Sequence, residues 1–199
     1  MLKKDEVKVL KVLLDDISTD LTIMDVANAL NQKYVQTYRT IYNLEKSHLI
    51  ILKPIGKSKI AKLNFTKIYP SYILAELERT EDLCKRNTSL SVIRKKIQNL
   101  GKNFICILFG SQTKKPTLNS DIDLLFVIPN EYDYGEFEKS IHNQLIAANV
   151  DLVIVPESSL HEMWSHPKKL NIGNEILKKH IILYGTEHYL NLLRKHYVG

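Results

Sequence analysis

Cysteine is nearly absent from this chain: among 199 residues there are only Cys84 and Cys106. One falls in an expected helix and the other in an expected buried strand, so neither a disulfide framework nor a zinc site is indicated, and Cys106 reads as a small core residue. Also missing is any apolar stretch of about 18 residues, the length that a membrane helix requires. The opening residues, MLKKDEVKVLKVLLDD, place acids inside an apolar pattern, unlike a secretory leader; a cytoplasmic protein without membrane contact is expected. There is no internal repeat, no low-complexity tract and no Ser/Gly-rich or Pro-rich tether, so any separate parts should be joined by structured helices. What the chain does have is 44% hydrophobic and 25% charged residues. That is enough for a real core in one domain or two small ones.

Charge is unevenly placed. The net formal charge of +6 divides into +4 for residues 1–66, +4 for 67–102 and −2 for 103–199. A basic front and a mildly acidic back suggest modules with different partners, the front one suited to a polyanion.

In the front part, Val7, Leu10, Leu13 and Leu14 recur at helical spacing. A second helix is expected from Thr22 to about Leu30, with Ile23, Val26, Ala27 and Leu30 inward, and Asn31-Gln32-Lys33 ends it. The third should cover Tyr34 to about Lys46, with Val35, Tyr38, Ile41, Tyr42 and Leu44 inward and Gln36, Thr37, Arg39, Thr40 and Asn43 outward. Two apolar stretches then flank Pro54-Ile55-Gly56-Lys57-Ser58-Lys59, whose Pro and Gly mark a hairpin loop. Three helices and a basic hairpin, with TYRTIYNLEKSHLI at their centre, resemble a winged helix-turn-helix over about residues 5–66. The resemblance implies double-stranded DNA as a partner. A helix of this width enters a major groove, where Arg39, with Gln36, Thr37 and Asn43 beside it, would reach bases or phosphates, while Lys57 and Lys59 on the wing meet phosphates. Such domains also serve as dimerisation or protein-docking devices.

Residues 67–101 read as a helical connector. Tyr72, Ile73, Leu74, Leu77 and Leu83 form the apolar face of one helix, and Thr88 or Ser89 can cap a second that carries Leu90, Ile93, Ile97 and Leu100. The run Arg94-Lys95-Lys96 is read as a solvated face.

From Asn103 the pattern becomes α/β. FICILF, DIDLLFVI and VDLVIV are strands of buried type, and a helix from Tyr132 to Ala148 lies between the last two; Tyr132, Asp133 or Tyr134 can cap it. Residues two apart on a strand share a face, so Asp121 and Asp123 project together, about 7 Å apart at the backbone. Asp151 opens the next strand, and three acids can gather at one sheet edge. Close carboxylates repel, and a buried one is costly unless it is paired or metal-bound. Mg²⁺ resolves the conflict, since it takes hard oxygen ligands, typically one or two carboxylates plus substrate phosphates. The Gly110-Ser111 turn offers backbone amides and a hydroxyl to a phosphate, and Lys114 and Lys115 add positive charge.

Gly110-Ser111, nine residues, then Asp121-Ile122-Asp123-Leu124 is similar to the signature of the DNA polymerase beta nucleotidyltransferase superfamily, and most of all to its minimal members. The resemblance spans roughly residues 102–185, to the strand-like IILYG, and implies a short mixed sheet backed by helices. It implies that Asp121 and Asp123 bind two Mg²⁺ ions, that Ser111 and the Gly110 backbone hold the phosphates of an NTP such as ATP, and that Asp151 is the third carboxylate, which helps bind metal and activates the attacking hydroxyl. One departure stands out. Small relatives usually carry a glycine soon after the Gly-Ser, whereas here the loop reads QTKKPTLNS and is slightly short. Two competing motifs are excluded: GSQTKKPT lacks the second glycine of a Walker loop, and His161 and His166 are five apart rather than the four of a zinc-protease helix.

The sequence therefore reads as an α+β protein with a winged helix-turn-helix at 1–66, a connector at 67–101 and a nucleotidyltransferase-like domain at 102–199. The expected activity is Mg²⁺-dependent transfer of NMP from an NTP to a protein or RNA hydroxyl. By resemblance, minimal nucleotidyltransferases act as antitoxins that modify HEPN-type toxins, and a fused winged helix suits autoregulation, with a homodimer reading two half-sites. The alternatives are a transcription regulator whose nucleotidyltransferase-like domain is a non-catalytic nucleotide sensor or dimerisation module, and a structural partner-binding module.

Overall fold

The computed structural model describes residues 2–113, 121–146 and 149–198. It begins with three helices, α1 (Lys4–Asp15), α2 (Ile23–Ala29) and α3 (Tyr34–Lys46). Thr22 starts α2 through a reciprocal capping box with Asp25. Asn31 and His48, just past α2 and α3, hold positive φ angles of 50° and 60° and turn the chain out of each helix.

An antiparallel hairpin follows, β1 (Ile50–Ile55) with β2 (Ser58–Leu63). The expected six-residue loop is tighter than the sequence suggested. Ile55 pairs with Ser58 and Pro54 with Lys59, leaving only Gly56 and Lys57 to turn, and Gly56 supplies the positive φ of 54° that such a turn demands.

The faces of α3 also differ from expectation. Thr37, Thr40, Ile41 and Leu44 are its buried residues, whereas Val35, Tyr38 and Tyr42 are exposed. Small side chains let α3 approach α1 and α2 closely, and the Thr40 hydroxyl is satisfied by the Gln36 carbonyl at 3.1 Å. Thr37, fully buried, is thereby removed from the surface on which it was expected to meet DNA.

The connector forms α4 (Pro70–Arg86) and α5 (Thr88–Gln98). Asn87, rather than Thr88 or Ser89, caps α5, accepting from the Leu90 amide. Along α4 the expected Leu74 and Leu77 are exposed, and Glu76, Arg79 and Thr80 are buried instead. Burial of these charges is explained by their pairing: Arg79 Nη1 donates to Glu76 and to the Leu14 carbonyl, and Nη2 donates to Asp15 Oδ1 and to the His180 carbonyl, both at 2.7 Å.

The remainder adds β3 (Ile105–Leu108), β4 (Ile122–Ile128), α6 (Tyr134–Leu145), β5 (Val150–Pro156), α7 (Glu157–Ser165), α8 (Ile172–Lys178), β6 (Ile181–Tyr184) and α9 (Thr186–Val198). The strands form a mixed sheet in the order β5-β4-β3-β6, in which only β4 and β5 run parallel. Asp133 caps α6 by accepting from the Glu136 amide.

Strand alternation divides the interior. Cys106, Leu108, Leu124 and Phe126 face α5 and α6, with Phe104 and Phe137 packed edge to face at 5.3 Å. Ile105, Ile107, Leu125 and Val127 face the other way and join one core with Leu10 and Ile41 of the front helices, Tyr72 of α4, Trp164 and Leu190. The front helices thus share a core with the sheet. Both cysteines are buried and unpaired.

Candidate active site

The site is built where β3 ends. After Leu108 the Phe109 amide still bonds the Asp123 carbonyl at 3.1 Å, and Gly110 then turns at φ +69° into a short 3-10 turn, Ser111–Thr113. Thr113 Oγ1 donates to the Gly110 carbonyl at 2.7 Å and closes that turn. Ser111 is exposed. Glycine is required at 110 for two reasons. The positive φ is strained for other residues, and a Cβ there would stand 2.1 Å from Asp123 Oδ2.

The parallel pairing of β4 with β5 sets Asp123 directly opposite Asp151. Asp121 lies one step before β4, where Asn149 Nδ2 donates to its Oδ1 at 2.5 Å and the Asn149 carbonyl accepts from the Ile122 amide at 3.3 Å. Asp121 and Asp151 are exposed and Asp123 is half-buried. Burial pushes the Asp123 carboxyl above the ordinary range, and the charges of Asp151 and then Asp121 push it further. The three expected acids therefore share one electrostatic field, unlike the paired surface carboxylates elsewhere. Lys114 and the loop that follows it lie outside the described residues.

Among the described residues, no group of three or more His, Cys, Asp or Glu side chains forms a ready-made metal cage. An ion that arrives with triphosphate oxygens and water needs only one or two protein carboxylates, so a complete cage is not required for the residues to fit Mg²⁺. The raised Asp123 carboxyl, held beside two further acids, is the donor set such an ion would neutralise.

On α3, Gln36, Arg39 and Asn43 are exposed and line a concavity of about 480 Å³ with Lys3, Lys33, Asp5 and Glu6. Gln36 Nε2 donates to Asp5 Oδ2 at 3.1 Å, and this bond, with that from Lys8, holds the Asp5 carboxyl below its usual range. Lys57 and Lys59 are exposed on the hairpin. The opposite flank of α3 carries a row of Tyr34, Tyr38 and Tyr42, the last two expected inward, with successive ring centroids 6.1 and 6.2 Å apart, and Lys46 Nζ 4.8 Å above the Tyr42 ring. Its signal was the four-residue spacing of three tyrosines. Asn149 was also missed, although Asn149-Val150-Asp151 repeats the spacing of Asp121-Ile122-Asp123 on the adjacent strand.

Residues 90–183 match the family model of the nucleotidyltransferase domain, a segment that starts in α5, ends in β6 and covers a little under half of the chain. The match supports nucleotidyl transfer as the general chemistry of this region, and it contains Gly110, Ser111 and all three acids. No curated protein and no solved structure matches the chain. Among the described residues no helix is long and apolar enough to cross a membrane.

Proposed function

We propose that residues 102–199 transfer a nucleoside monophosphate from an NTP, ATP being the reference substrate, to a hydroxyl of a protein or RNA. The observation that carries this reading is the in-register pair Asp123 and Asp151, with Asp121 in the same field, beside the Gly110-Ser111 turn and inside the matched segment. Asp121 and Asp123 would hold Mg²⁺, which neutralises triphosphate charge when bound, and Asp151 would complete the set. The Gly110 turn and the Ser111 hydroxyl bind the phosphates. Asp151 takes the proton of the attacking hydroxyl as its oxygen bonds to the α-phosphorus; the bond from that phosphorus to the β-phosphate bridge breaks, and pyrophosphate leaves. Exposure of Asp121, Asp151 and Ser111 leaves the site open to a macromolecular acceptor.

The front of the chain, residues 1–66, is read as a winged helix that binds double-stranded DNA. Supporting it are the basic balance, the outward Gln36, Arg39 and Asn43, the wing lysines Lys57 and Lys59, and the tyrosine row, whose hydroxyls can donate to phosphates. Together the two activities suit an autoregulating antitoxin that modifies a HEPN-type toxin and reads its operator as a homodimer. The QTKKPTLNS loop, without the glycine of small relatives, favours a second reading: a regulator that senses nucleotide without turnover.

Calorimetry of the full chain with ATP separates these. Binding should depend on Mg²⁺ and weaken greatly in Asp121→Asn, and with labelled ATP and an acceptor Asp151→Asn should lower turnover far more than affinity. Metal-independent binding of parental strength in Asp121→Asn would reject the first reading, and binding without turnover on any acceptor would leave the sensor.

A further inference from the structure

We infer that Asn149 is a positioning residue for Asp121, a role that rests on the nucleotidyltransferase reading. Asp121 sits outside the sheet ladder, exposed, where its charge and that of Asp123 repel. Left to itself, its carboxylate would gain rotamer freedom and relieve that repulsion by swinging into water. Asn149 opposes this with two bonds: its carbonyl accepts from the Ile122 amide at 3.3 Å, which holds the start of β4 against β5, and its Nδ2 donates to Asp121 Oδ1 at 2.5 Å. The first bond extends the Ile122–Val150 and Asp123–Asp151 register by one step, so the side chain that reaches Asp121 stands on a fixed backbone.

The chemistry of the donor matters as much as its place. A lysine or arginine at 149 would neutralise Asp121 and compete with any cation, and a carboxylate there would add to the repulsion. An amide orients the carboxylate, leaves its charge in place, and occupies one lone pair of one oxygen. Asp121 Oδ2 remains available to a ligand. Hydrogen-bonded supports of this kind to metal-binding carboxylates typically alter metal affinity by about 10- to 100-fold when removed.

The test is a double-mutant cycle on the full chain, read by calorimetric titration of ATP with and without Mg²⁺. Asn149→Ala should weaken Mg²⁺-dependent ATP binding by about 10-fold or more and leave metal-free binding unchanged. In an Asp121→Asn background the same substitution should have no further effect, whereas a merely structural Asn149 would cost the same in both backgrounds. Asn149→Ser, which keeps a short donor, should recover part of the loss and serves if the alanine variant does not fold. Parental Mg²⁺-dependent affinity in Asn149→Ala, with Asp121→Asn impaired, would overturn the positioning role alone. Absence of Mg²⁺-dependent binding in the parent would overturn the nucleotidyltransferase reading, and this inference with it.

Discussion

Gly110 and Asp123 occupy space that only a glycine leaves open: a Cβ at 110 would meet the Asp123 carboxylate oxygen at 2.1 Å. Gly110→Ala should therefore fail twice. The left-handed backbone alone costs roughly 1–2 kcal/mol, and the clash must turn the Asp123 carboxylate out of its present orientation. Urea unfolding should register the stability loss, and Mg²⁺-dependent ATP binding should fall with it. Adding Asp123→Ala should recover the part of the stability loss due to the clash, while binding stays lost; no recovery would mean that the backbone strain alone is responsible.

The raised Asp123 carboxyl makes stability and function pull in opposite directions. A carboxyl whose folded-state pKa lies above its unfolded value favours folding while protonated, and that contribution disappears as pH rises through the folded pKa. At neutral pH the ionised Asp123 thus burdens the metal-free fold, and Asp123→Asn should raise its melting temperature at pH 7 with less gain at pH 4. Calorimetric melts at both values check the sign. Mg²⁺-dependent ATP binding should conversely begin to fail, as pH is lowered, above the range of an ordinary aspartate.

The tyrosine row and the wing lysines should fail differently if the front binds DNA. Lys57→Ala with Lys59→Ala removes two phosphate-neutralising charges and should flatten the salt slope by about two. A tyrosine hydroxyl is a neutral donor that releases no counterion. Tyr38→Phe or Tyr42→Phe should each cost about 0.5–1.5 kcal/mol on every sequence without changing the slope. Arg39→Ala should cost roughly 1–3 kcal/mol, chiefly on the preferred site. Titrations at several salt concentrations on selected and scrambled duplexes distinguish the three. If the phenylalanine variants bind as the parent does while Tyr38→Ala changes the oligomeric state, the row is a contact between proteins.

The three strands and the acids on them were legible because their signals are local, although β5, at the sheet edge, is buried only at Ile154 and Val155 and not throughout as expected. FICILF, DIDLLFVI and VDLVIV are short apolar runs, and aspartates at strand entrances are hard to explain otherwise. The rotation of α3 was not legible, because its sequence carries two apolar stripes: tyrosines on one side, Ile41 and Leu44 on the other. Which stripe turns inward depends on how closely α1 and α2 approach, and that distance favoured two threonines over two large rings. Glu76 and Arg79 were missed for a related reason. Arg79 resembles a surface charge until its partners, Asp15 and the His180 carbonyl, arrive from 64 and 101 residues away, and Glu76 is buried only as the i−3 partner of that same guanidinium. Asn149 gave no signal by composition, since an asparagine before a strand is most often a turn residue.

The Arg79 clamp has a consequence for how the protein comes apart. One guanidinium ties the end of α1 to α4 and to the entrance of β6, and the apolar interior runs without a break from Leu10 to Leu190. Fragments cut near residue 66 would each expose half of that interior. Denaturation should accordingly be a single cooperative event, with helix signal and tryptophan emission from Trp164 changing together. Arg79→Ala, which leaves the buried Glu76 carboxylate with only the His180 ring 3.6 Å away, should move that one transition by about 3–5 kcal/mol instead of splitting it in two.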